Sequence, residues 1–106
     1  MKYISPELLQ EMVRRLVHEF HPEQIILFGS HAWGVPKEDS DLDFFVIVSQ
    51  SKLSPVKRSV IAHRCLRGLN VPKDILVKTR SEVERLRRVH ASLEAEVLER
   101  GKVLYG

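Results

Sequence analysis

Gly29-Ser30 and Asp41-Leu42-Asp43 are the residues in this sequence whose types and spacing point most directly to chemistry. Ten residues separate the two groups, giving GSx10DxD. At average residue usage such a match arises by chance in a chain of this length about once in a thousand sequences. A glycine lets an anion approach the backbone closely, and a serine hydroxyl with the free amides of a following helical turn donates to its oxygens. The pair reads as a phosphate cradle. On a strand, residues i and i+2 lie about 6.6 Å apart and leave the same face, so Asp41 and Asp43 converge beside that cradle. Two carboxylates there call for a cation. Mg2+ suits the position, because it takes hard oxygen ligands from one or two carboxylates together with substrate phosphates.

A third carboxylate, Asp74, opens a later strand-like segment. If that strand neighbours the one carrying Asp43, all three carboxylates share a face and their mutual repulsion is relieved only by bound metal. Two ions serving phosphoryl transfer use such a triad, with Asp74 the candidate base for an attacking hydroxyl.

The elements that must position these groups follow from periodicity. Ser5-Pro6 is an N-cap with proline in the first turn, and Leu9, Met12, Val13, Leu16, Val17 and Phe20 recur at helical spacing until His21-Pro22. Gln24 to Phe28 is a nearly all-apolar run of the kind covered on both faces of a sheet, ended by Gly29-Ser30. A short helical turn and an exposed loop fill His31 to Ser40. A strand over Asp41 to Val48 then sets Asp41, Asp43, Phe45 and Ile47 against Leu42, Phe44, Val46 and Val48. Ser54-Pro55 opens another helix, closed by Gly68. A third strand over Pro72 to Thr79 sets Asp74, Leu76 and Lys78 against Ile75 and Val77. Ser81 is read as the cap of a last helix with Leu86, Val89, Leu93 and Val97 as its stripe, stopping at Gly101 before an apolar tail. The order read from these segments is α-β-α-β-α: one α/β (α+β) domain over residues 1–106, with helices flanking a small sheet.

Composition bounds the function. The 106 residues, 43% hydrophobic, suffice for one core and exclude collagen-like, disordered and disulfide-scaffold classes. A single cysteine, Cys65, allows no internal disulfide or zinc ribbon, and no apolar run has the length of a membrane span or a signal peptide, so the expected compartment is the cytoplasm. A formal charge of +3 suits nucleotide phosphates but gives nucleic acid little electrostatic help. The five histidines form no closed ligand set and the Cys65 thiol has no recognisable base; Trp33 reads as covering the loop, with stacking on a base the alternative, and Lys78, Arg80, Arg85, Arg87 and Arg88 read as a solvated basic surface, with contact to phosphates or an acidic partner the alternative.

The segment Leu27-Phe28-Gly29-Ser30-His31-Ala32-Trp33-Gly34 through Ser40-Asp41-Leu42-Asp43-Phe44 resembles the signature of the minimal nucleotidyltransferases of the DNA polymerase β superfamily. The resemblance implies the nucleotidyltransferase fold, a small mixed β-sheet flanked by helices, with Gly29 and Ser30 holding the triphosphate and Asp41, Asp43 and Asp74 binding two Mg2+ ions. It also implies transfer of a nucleoside monophosphate from an NTP, ATP by preference, to a hydroxyl with release of pyrophosphate. Many members pair with a small helical HEPN protein in toxin–antitoxin modules and modify it, so a HEPN-type partner is implied too. His31 departs from the pattern, which commonly has Arg after the Gly-Ser pair. Larger relatives carry an extra domain that shapes the acceptor pocket, so a chain of this length implies a partner protein or a second copy, with the first and last helices as docking surfaces. Two other readings stand beside this one: a binding module that neutralises its partner by contact alone, and transfer to a small molecule or an RNA end.

Overall fold

The computed structural model describes residues 3–37 and 39–106. Helix α1 (Pro6–Phe20) begins where the Ser5 hydroxyl accepts the Leu8 amide at 3.1 Å. It ends at His21, whose left-handed φ of 46° turns the chain into Pro22. Strand β1 (Gln24–Phe28) follows, then the single turn α2 (Ser30–Trp33), strand β2 (Leu42–Val48), helix α3 (Pro55–Cys65) and strand β3 (Lys73–Thr79). Two short helices, α4 (Arg80–Leu86) and α5 (Leu93–Arg100), lead to strand β4 (Lys102–Tyr105).

The sheet order is β3-β2-β1-β4. β1 runs antiparallel to both β2 and β4, while β2 and β3 are parallel, so the sheet is mixed, as the nucleotidyltransferase resemblance implies. A parallel pair cannot be joined by a tight hairpin, and α3 supplies the crossover. Strand alternation splits the core in two. Ile25, Leu27, Leu42, Phe44, Val46, Ile75 and Val77 pack under α1 and α3 against Met12, Leu16, Ala62 and Leu66. Ile26, Phe28, Phe45 and Ile47 face the other way, onto Val83 of α4, Val97 of α5 and Trp33 of α2. The alternation read for β2 and β3 is the one observed.

The last third differs from the single helix expected there. Thr79, not Ser81, caps α4: its hydroxyl accepts the Glu82 amide while the Glu82 carboxylate accepts the Thr79 amide, a reciprocal capping box. The helix stops at Leu86. Ala91 adopts φ 66°, Ser92 donates its hydroxyl to the Leu86 carbonyl, and the same hydroxyl accepts the Ala95 amide to start α5. Val89 lies in this break and is exposed, so it belongs to no buried stripe. The apolar tail is a fourth strand, because residues 102 to 105 find the free edge of β1. The observed order is α-β-α-β-α-β-α-α-β, longer than α-β-α-β-α by β3, α4, α5 and β4.

One buried charge ties the layers together. The Arg58 side chain, 6% exposed, donates to the Leu53 and Val77 carbonyls and forms a two-pronged ion pair with Glu82. These bonds hold the end of β3 to α3 and α4. Among the described residues no helix is long and apolar enough to cross a membrane.

Candidate active site

β1 ends in a turn that only glycine tolerates. Gly29 adopts φ 77° and ψ −158°, a region essentially closed to residues with a Cβ. Its carbonyl accepts the Ala32 and Trp33 amides and so closes α2. A Cβ placed on Gly29 would overlap the Asp43 carboxylate, because Phe28 and Asp43 are register partners across β1 and β2. The missing side chain thus serves two purposes: it permits the turn, and it leaves the space that the Asp43 carboxylate fills.

The condition set on Asp74 is met. β2 and β3 are neighbours, and their register places Asp43 directly opposite Asp74. Strand alternation directs both to the face carrying Phe45 and Leu76, where the Gly29-Ser30 turn also lies. Asp41 stands just before β2 rather than inside it and is exposed, as is Asp74, while Asp43 is half-buried. The three carboxylates sense one another. Burial, then the charges of Asp74 and Asp41, hold the Asp43 carboxyl above its ordinary range, and the His31 ring partly opposes this.

These donors suit a hard divalent cation. All are carboxylate oxygens, and the raised Asp43 carboxyl is a group whose charge needs a positive neighbour. Among the described residues no three His, Cys, Asp or Glu side chains stand together as a group that could hold a metal ion. The sequence assigns Mg2+ to Asp41, Asp43 and Asp74, and of these the register sets Asp43 against Asp74.

Around the cradle, Trp33 packs its ring on Phe28, with centroids 6.3 Å apart, and the Arg100 guanidinium sits 5.0 Å above the Trp33 ring. This stack ties α2 to α5 and gives Trp33 the structural role read for it. Arg100 is a residue sequence reasoning missed, since nothing in the chain marks it as a neighbour of Trp33. The His31 Nε2 lies 3.4 Å from the Ser40 carbonyl oxygen. Cys65 packs against the core under α1 and α3, and burial followed by the Glu19 charge pushes its thiol up, which makes it a poor nucleophile. Arg80 and Arg87 of the basic group pair with Glu23 and Glu84.

A mixed sheet that aligns two aspartates from parallel strands beside a Gly-Ser turn is the frame of a nucleotidyltransferase. The family model described as "Polymerase beta, Nucleotidyltransferase" matches residues 10–106, and the chain belongs to that family. A crystal structure of a Sulfolobus solfataricus protein assigned as a nucleotidyltransferase is similar at a TM-score of 0.59 and 26% identity, over 74% of this chain and 70% of that one. No curated protein matches.

Proposed function

We propose that the chain transfers the nucleoside monophosphate of Mg-NTP, with ATP the substrate, to a hydroxyl of a partner protein. The observation that carries this reading is the register pairing of Asp43 with Asp74 beside a glycine whose absent Cβ makes room for the Asp43 carboxylate. The Ser30 hydroxyl and the backbone of the turn hold the phosphate oxygens, and the fixed turn at Gly29 keeps them facing the carboxylates. Mg2+, when bound by Asp41, Asp43 and Asp74, screens the triphosphate charge and lowers the pKa of the acceptor hydroxyl. Asp74, exposed at the strand start, accepts the proton of that hydroxyl. The acceptor oxygen bonds to the α-phosphorus, the bond from that phosphorus to the bridging oxygen of the β-phosphate breaks, and pyrophosphate leaves. The acceptor in this reading is a HEPN-type helical protein of a toxin–antitoxin module, and the chain acts as its antitoxin. Support for the partner comes from the sequence resemblance alone.

The test incubates the protein, Mg2+ and ATP labelled at the α or the γ phosphate with the product of the neighbouring gene. Label from the α position alone, lost when Asp41 and Asp43 are both changed to Asn, is the expected result. Label from the γ position would mean phosphorylation instead. A stable complex without label would leave neutralisation by contact.

A further inference from the structure

The 30 residues from Phe44 to Lys73 contain no Asp or Glu and hold six of the 17 Lys and Arg, leaving 11 basic against 14 acidic residues elsewhere. Two of the six are satisfied internally: Arg58 is paired with Glu82, and the Lys73 ammonium donates to the Leu69 and Val71 carbonyls. The other four, Lys52, Lys57, Arg64 and Arg67, are exposed on α3 and its flanks. Of the arginines elsewhere, Arg14 and Arg15 pair with Glu11, Arg80 with Glu23, Arg87 with Glu84 and Arg100 with Glu96, while Arg85 and Arg88 enter no ion pair among the described residues. Among the described residues no ion pair involves Lys52, Lys57, Arg64 or Arg67.

Within this uncompensated rim sit two exposed valines. Val56 is 73% and Val60 50% exposed, one turn apart on α3, and with His63, Arg64 and Arg67 they line a shallow depression. An i, i+4 apolar pair on a helix is the contact unit of helix-on-helix docking. Apolar centre and charged rim together are the anatomy of a protein interface. A nucleic acid would use the cations but gain nothing from the valines, and α3 carries no Phe, Tyr or Trp for bases to stack on, its single ring being the His63 imidazole.

We propose that the outer face of α3 docks an amphipathic helix of a partner protein whose apolar stripe is edged with Asp and Glu. Its apolar side chains cover Val56 and Val60, and its carboxylates pair with Lys57, Arg64 and Arg67. α3 packs on the sheet face opposite Asp43 and Asp74, so docking leaves the carboxylate site open and does not depend on the nucleotidyl-transfer reading.

The probe is a synthetic helical peptide of about 20 residues with Leu at i and i+4 and flanking Glu, compared with the same peptide carrying Lys for Glu and with a single-stranded RNA of about 20 nucleotides. Fluorescence anisotropy with the intact protein is expected to show binding of the Glu peptide, weakening as salt rises from about 50 to about 300 mM, and none of the Lys peptide. Arg64→Glu with Arg67→Glu, and separately Val60→Asp, weaken binding by about tenfold or more while thermal melting and ATP affinity stay unchanged. All of these side chains are exposed, so the variants fold. Equal binding of both peptides, indifference to the substitutions, or RNA bound more tightly than the Glu peptide through the same residues would overturn the proposal.

Discussion

Replacing Gly29 by alanine tests whether the turn and the carboxylate site are one construction. The φ of 77° with ψ of −158° costs a residue with a Cβ about 1–3 kcal/mol. The new methyl also meets the Asp43 carboxylate, which must swing off its rotamer at a further cost of about 0.5–1.5 kcal/mol. The sum, about 1.5–4.5 kcal/mol, lowers the melting temperature of a domain this size by roughly 6–35 °C and still leaves it folded at room temperature. The two contributions are separable. The Cβ of Asp43 would lie an ordinary 3.5 Å from the added methyl, so Asp43→Ala removes the overlap and leaves the backbone strain. Melting curves by circular dichroism for the parent, both single variants and the double variant are expected to show a coupling of about 0.5–1.5 kcal/mol. Nucleotidyl transfer by Gly29→Ala falls further than its unfolded fraction explains, because the displaced carboxylate is a proposed ligand. A Gly29→Ala protein that melts within about 2 °C of the parent, a shift below about 0.5 kcal/mol, would refute the reasoning. Strictly additive variants would refute its carboxylate half.

Asp41→Asn with Asp43→Asn is expected to abolish transfer without unfolding the chain. Because burial and like charges raise the folded-state pKa of Asp43, its ionisation costs stability as pH rises, and the double variant should melt at or above the parent temperature at neutral pH. Ser30→Ala should raise the KM for NTP more than it lowers kcat, read from steady-state kinetics; unchanged constants would mean that backbone amides hold the phosphates alone. Arg58→Leu strands the Leu53 and Val77 carbonyls and the Glu82 carboxylate, and should cost about 3–5 kcal/mol in urea unfolding. The Arg58 guanidinium, opposed by burial and aided by the Thr79 amide, holds the Glu82 carboxyl down from 4.5 to about 2. The stabilisation is therefore full above the unfolded value and lost as pH falls from about 4.5 towards 2. The whole shift corresponds to about 3 kcal/mol, and screening at a side chain 23% exposed reduces it to about 1–2 kcal/mol. Glu82→Gln should flatten the acid limb of a plot of stability against pH.

Local signals determined much of this protein. Ser5-Pro6 and Ser54-Pro55 placed two helix starts, because capping is settled within four residues. Alternation assigned the faces of the apolar residues of β2 and β3 correctly, because a strand's side-chain period is two whatever its partners. GSx10DxD carried the family resemblance, and the matching family model covers the same residues. Tertiary structure decided the rest. Only the parallel pairing of β2 with β3 puts Asp74 opposite Asp43, and only the antiparallel pairing with β1 puts Gly29 against that carboxylate. The break at Ala91 and the strand at Lys102–Tyr105 were invisible locally. Leu86, Val89, Leu93 and Val97 keep a helical spacing across the break, and a short apolar tail becomes a strand only where a free edge accepts it. Arg58 shows the same limit: a basic residue on a helix reads as surface until the layers packed around it bring two carbonyls and a carboxylate within reach.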